Sequence, residues 1–133
     1  MSYTLIDHTA DIGIYLRSKD RVGLFEDAAL ALVEIMDVRS AEDLIRSEVR
    51  VEGIDLVDTL VRWLQELLYL IEVRDLRVSS IKVLRVGDTF VDAMVAGEET
   101  QTPYAVEIKA VTYHNLVIQE LDNCLEATII FDT

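Results

Sequence analysis

The sequence predicts an α+β fold: a largely antiparallel β-sheet with two helices packed on it, in the order ββαβα followed by five strands. Three observations predict it. Short apolar–polar alternations open and close the chain, two interior segments carry the helical period, and from Leu76 onward every apolar run reads as strand. Late strands without crossover helices between them must pair antiparallel. At 133 residues, with no repeat, low-complexity tract or Pro/Gly/Ser-rich linker, residues 1–133 read as a single domain.

The first two strands are expected at Tyr3 to His8 and Ile12 to Arg17, the second with Ile12, Ile14 and Leu16 on one face. Asp20 is positioned to cap a helix whose apolar stripe is Leu24, Phe25, Ala28, Ala29, Leu32, Ile35 and Met36. A strand near Arg46 to Glu52 ends at Gly53, and Asp55 caps a second helix running to about Val73. Arg62, Gln65, Glu66, Tyr69 and Glu72 fall on one narrow line of that helix, while Leu60, Trp63, Leu64, Leu67, Leu68 and Ile71 cover most of the rest. This is the expected central buried helix. Gly87-Asp88 reads as a tight turn between Ile81 to Val86 and Thr89 to Ala96. Strands at Tyr104 to Tyr113, Leu116 to Leu121 and Leu125 to Phe131 complete an antiparallel meander.

Composition narrows the function classes. With 25 acidic against 12 basic side chains the formal net charge is −13, a field that repels phosphate backbones and suits a basic partner or a cation. Direct DNA or RNA binding is not expected. No apolar run has the length of a membrane span, the N-terminal residues carry no basic export signal, and one cysteine, Cys124, excludes a disulfide framework, so a cytoplasmic location is expected. Cys124 itself reads as a small buried hydrophobe.

The chain carries no P-loop, GxGxxG, GxSxG, CxxC or HExxH. The chemistry that remains is centred on carboxylates. Asp11 lies between the first two strands, and Asp132 precedes Thr133, whose α-carboxylate would add a second anionic group if the natural chain ends there. Oxygen donors of this kind suit calcium or magnesium, although spacing alone favours solvated termini and a turn aspartate. Glu107 and Lys109 alternate with Val106, Ile108 and Ala110 and are expected on one strand face, as a surface ion pair or as functional groups. His8 and His114 each follow a strand-like run, as turn histidines or as ligands or bases.

The segments His8-Thr9-Ala10-Asp11-Ile12-Gly13-Ile14, Phe25-Glu26 with Ala28-Ala29, Leu60 with Trp63-Leu64 and Glu66-Leu67-Leu68, Gly97-Glu98, Glu107 through His114, and Phe131-Asp132 together resemble the archease family in order and spacing. The likeness covers essentially the entire chain. It implies an accessory protein, not an enzyme, for the RtcB-type RNA ligase of tRNA splicing, one that stimulates ligase guanylylation and multiple turnover. GTP and manganese belong to the ligase in this scheme, and tRNA is met only through it. Residue by residue, the resemblance implies a metal site at Asp11, Asp132 and Thr133, with calcium the expected cation, and a functional lysine at Lys109. A general chaperone or scaffold, and a stand-alone metal-dependent phosphohydrolase using His8 or His114 as base, are the competing readings.

Overall fold

The computed structural model describes residues 3–6 and 11–133. The elements are β1 (Tyr3–Ile6), β2 (Asp11–Ser18), α1 (Arg21–Met36), β3 (Ile45–Glu52), α2 (Leu56–Glu72), β4 (Leu76–Val86), β5 (Phe90–Glu99), β6 (Ala110–Val111), β7 (Ile118–Glu120) and β8 (Leu125–Asp132). The predicted order, ββαβα and then five strands, is therefore the observed one. The strands divide, however, into two antiparallel sheets. One runs β1-β2-β8-β6, with β7 also paired to β8, and the other runs β3-β5-β4. The meander stops after the β4–β5 hairpin because β8 returns to β2, the partner that buries its apolar face.

Both helices start where a carboxylate can satisfy their free N–H groups. Asp20 accepts from Gly23 N at 2.8 Å, and Asp55 accepts from Asp58 N at 2.7 Å. α1 ends at Asp37, which turns left-handed at φ 56° and donates its N–H back to Glu34 O. Helix α1 packs against β2 of one sheet and β4 of the other, and α2 packs against α1 and β3. The apolar faces meet in a core whose largest buried side chains are Trp63, Phe25 and Phe131. Trp63 Nε1 donates to Phe25 O at 2.9 Å, so the one polar atom of the indole is satisfied while it ties the two helices together.

Two local features explain the hairpin. Gly87 N donates to Phe90 O at 2.9 Å across the turn, and a Cβ at Gly87 would lie 2.3 Å from the Phe90 ring. Gly97 is buried against β4 where the register slips between Val78 and Ser80, and a Cβ there would lie 1.9 Å from Arg77 O. Such an approach needs a residue with no side chain.

The segment Tyr104 to Tyr113 departs from expectation, since Ala110–Val111 alone joins a ladder. Part of its alternation holds, for Ile108 is buried between the exposed Glu107 and Lys109, while the buried Val111 breaks the period. The backbone, though, is held piecemeal. Ala105 N reaches Met36 O, Lys109 N reaches Asp132 O, and Arg77 grips the preceding loop through the Thr102 hydroxyl and carbonyl. Pro103 contributes no donor at all. Cys124 also differs from expectation. It is half-exposed in the turn between β7 and β8, with Arg17 beside it.

Substituting Gly97→Ala forces β4 away from β5 at the bulge, and overpacking of this kind is expected to lower the unfolding free energy by about 2 kcal/mol or more. A shift of the urea midpoint at unchanged slope checks it.

Candidate functional site

The site is built by one strand pair. β2 and β8 run antiparallel in unbroken register from Ser18 opposite Leu125 to Asp11 opposite Asp132. Ile12, Ile14 and Leu16 share the core face with Phe131, Ile129 and Ala127, so that face is fixed by burial. Asp11 and Asp132 fall on the other face by parity, and a slip of one residue would reverse both faces. Residues directly opposite have Cβ atoms roughly 5 Å apart. The start and the end of the described strands thus bring two carboxylates to one end of one sheet.

β6 adds the third component. Ala110 pairs with Asp132 on the side away from β2, and Lys109 N donates to Asp132 O at 2.7 Å. Lys109 and Asp132 are exposed, and Asp11 and Thr133 are half-exposed. Among the described residues no group of three or more His, Cys, Asp or Glu forms a metal cluster. The two carboxylates supply anionic oxygens, a donor type that fits a hard cation completing its shell with water. Like charges set directly opposite are unfavourable by themselves, which a bound cation would offset.

The remaining candidates are His8, His114 and Glu107. His8 falls outside the described residues. His114 sits in the exposed turn after β6, its Nε2 3.3 Å from the Asn115 amide nitrogen. Glu107 and Lys109, expected on one strand face, precede β6 and lie outside the strands. Glu107 instead faces the C-terminal end of α2, where desolvation first and the Glu107 carboxylate second push the Glu72 carboxyl above its ordinary range.

One residue that sequence reasoning missed organises this region. Asp58, 6% exposed in the first turn of α2, accepts from Tyr113 Oη at 2.5 Å, from Ile54 N at 2.8 Å and from Arg62 Nε at 2.8 Å. The Tyr113 hydroxyl first, then the Ile54 N–H, then Arg62, hold the Asp58 carboxyl below the usual carboxylate range against the opposing effect of burial. Tyr113 is raised in turn by the same contact. Through Tyr113, Asp58 thus anchors the segment that carries Lys109 to the N-terminus of α2. The signal available in the sequence was Asp three residues after the capping Asp55, a spacing suited to a reciprocal cap.

With the geometry in place, comparison with known proteins identifies the lineage. Residues 3–133 match the archease protein family. The archease of Methanosarcina barkeri is 37% identical over 98% of this chain and 94% of its own length, and that of Pyrococcus furiosus is 37% identical over 86% of each. The solution structure of Methanobacterium thermoautotrophicum protein 1598 superposes with a TM-score of 0.80 at 28% identity, covering 99% of both chains. A crystal structure from Thermotoga maritima, described as an archease and possible chaperone, has the same fold at a TM-score of 0.70 and 22% identity over 96% and 94% of the two chains. This chain belongs to the archease family. No described helix is long and apolar enough to cross a membrane.

Removing the Tyr113 hydroxyl tests the anchor. Tyr113→Phe is expected to cost about 1–2 kcal/mol at neutral pH, as for a hydrogen bond to a charged acceptor. Because the folded Asp58 pKa is depressed, its contribution is full above the unfolded value of about 3.9 and fades as pH falls through the folded value. The gap between variant and wild type should therefore narrow in strong acid, as read by denaturant melts across pH.

Proposed function

We propose that this archease is an accessory protein, not an enzyme, that activates an RtcB-type RNA ligase in tRNA splicing by stimulating its guanylylation and multiple turnover. The observation that carries the reading is the cross-strand placement of Asp11 opposite Asp132, with Lys109 joined to Asp132 through the backbone. Asp11, Asp132 and oxygens of Thr133 would hold a divalent cation, with calcium the expected one. The cation would neutralise the opposed carboxylates and stiffen the sheet end that presents Lys109. Exposed on that rim, Lys109 is available to a phosphate or carboxylate of the partner. A ligase that handles RNA has a basic cleft, and a chain of net charge −13 would be steered toward it, less strongly as salt rises. GTP and manganese stay with the ligase, and tRNA is reached through it.

The possible-chaperone description of the Thermotoga maritima protein supports a second reading, in which the chain protects client proteins without selectivity. The two separate on one experiment. Ligase guanylylation and repeated ligation are measured with wild type, Asp132→Asn and Lys109→Ala, alongside suppression of aggregation of an unrelated protein. Selective stimulation that either substitution lowers tenfold or more supports ligase activation, and wild-type stimulation by both variants would overturn it.

The cation has its own readout. Calcium is expected to raise the melting temperature of wild type and leave Asp132→Asn unchanged. Calorimetric titration with calcium checks both.

A further inference from the structure

The sheet opposite the candidate site has two edges built in different ways. Along β4 the register slips twice, at Val78/Ser80 and at Val83/Arg85. Its outer edge is also covered: Val78 N donates to Val38 O, Ser40 N donates to Val78 O, and the Glu26 carboxylate accepts from Val83 N at 3.0 Å. Bulges and covering groups are the devices by which proteins keep a strand edge from recruiting another strand. β3 has neither. It pairs with β5 in unbroken register over all eight residues, and it is the terminal strand of its sheet.

The phase of its hydrogen bonds is fixed. Gly53 N donates to Thr89 O at 2.9 Å in continuation of the β3–β5 register, so by alternation the odd-numbered residues of β3 turn their backbone polar groups toward β5. Arg46, Glu48, Arg50 and Glu52 turn theirs outward. Those same four residues, all exposed, alternate in charge along the edge.

This alternation is complementary to itself. When a second β3 is laid antiparallel about a two-fold axis through Val49, Arg46 falls opposite the second copy's Glu52, and Glu48 falls opposite the second copy's Arg50. Both pairs are opposite in charge, and both are pairs whose backbone groups face the axis. Leu44 and Ile54, 69% and 81% exposed and the most exposed large apolar residues among those described, flank the two ends of β3. Shifting the axis by one residue, to lie beside Val49, would break the charge pairing.

We propose that β3 is a homodimer interface, joining two three-stranded sheets into one of six strands about a two-fold axis at Val49. Charge continuity across the seam favours a second copy over another strand. Arg85 and Arg50 both bind Asp92, at 2.5 and 3.0 Å, and the second copy's Glu48 extends that row to positive, negative, positive, negative across the strands. Ile45, Ser47 and Val51, half-exposed on the inner face of β3, become covered in the same step. A groove of about 400 Å³, walled by Arg50, Val51, Glu52 and Tyr69 among others, separates the C-terminal end of β3 from α2. Isologous pairing of this kind closes on itself and stops at two copies.

The experiment is sedimentation velocity from micromolar to millimolar concentration at low salt. It uses wild type, Arg46→Glu, Glu52→Arg and the double charge swap, each first shown to melt like wild type. These two positions avoid the Arg50–Asp92 pair inside the protomer. Wild type is expected to dimerise reversibly. Each single substitution puts like charges opposite and should weaken the dimer tenfold or more, and the double swap should return it to within about threefold of wild type. A wild type monomeric at every concentration would overturn the proposal and leave the edge to a strand from another protein. Single variants that dimerise as wild type does, or a double swap that stays monomeric, would overturn it equally.

Discussion

The pairing of β2 with β8 is the constraint on which the rest of the structure depends. It draws the last strand back to the second, splits the strands into two sheets, and fixes which side chains enter the core. Ile14, Leu16, Ile129 and Phe131 are buried by it, and their burial in turn holds the register, since a one-residue slip would expose them together. The same parity sets Asp11 opposite Asp132 on the other face. The placement of two carboxylates at one sheet end is thus a consequence of burial elsewhere on the same two strands.

Two charged residues buried outside that pair show how the fold connects the site to the helices. Asp58 binds three donors from three parts of the chain and fixes Tyr113, two residues beyond β6. Arg77, 2% exposed, donates to the carbonyls of Ile71 and Leu76, at the negative end of α2, and to Thr102. Removing either would leave buried partners unsatisfied, a larger loss than the net worth of the contacts. Between them they hold both flanks of the segment that carries Lys109. Much of the residue pattern shared with the archease family therefore has a structural reason: Gly97 for close strand approach, Trp63 for the helix–helix bond, Tyr113 for the Asp58 anchor.

The sequence was legible wherever a local rule decided the outcome. Asp20 and Asp55 cap the helices because an extended residue with a short carboxylate satisfies the nearest free N–H groups, and both neighbours are within three residues. The Gly87 turn and the buried face of α2 were readable on the same ground. Legibility failed where partners are remote. Apolar residues over Tyr104 to Tyr113 reported burial, but a ladder needs a neighbouring strand, and outside Ala110–Val111 the segment is held at single points by the carbonyls of Met36 and Asp132. Cys124 looked like a core residue by type and lies in a turn by position.

By itself, then, the sequence determined the elements, their order, the buried faces and the family, because each of these rests on periodicity, capping chemistry or motif spacing within a short stretch of chain. Only the tertiary structure decided that the strands form two sheets, that Asp11 and Asp132 stand opposite each other across some 120 residues of intervening chain, and that Asp58 organises the rim beside them. The physical reason is that register between distant strands is chosen by the burial of whole faces at once. No local pattern contains that sum.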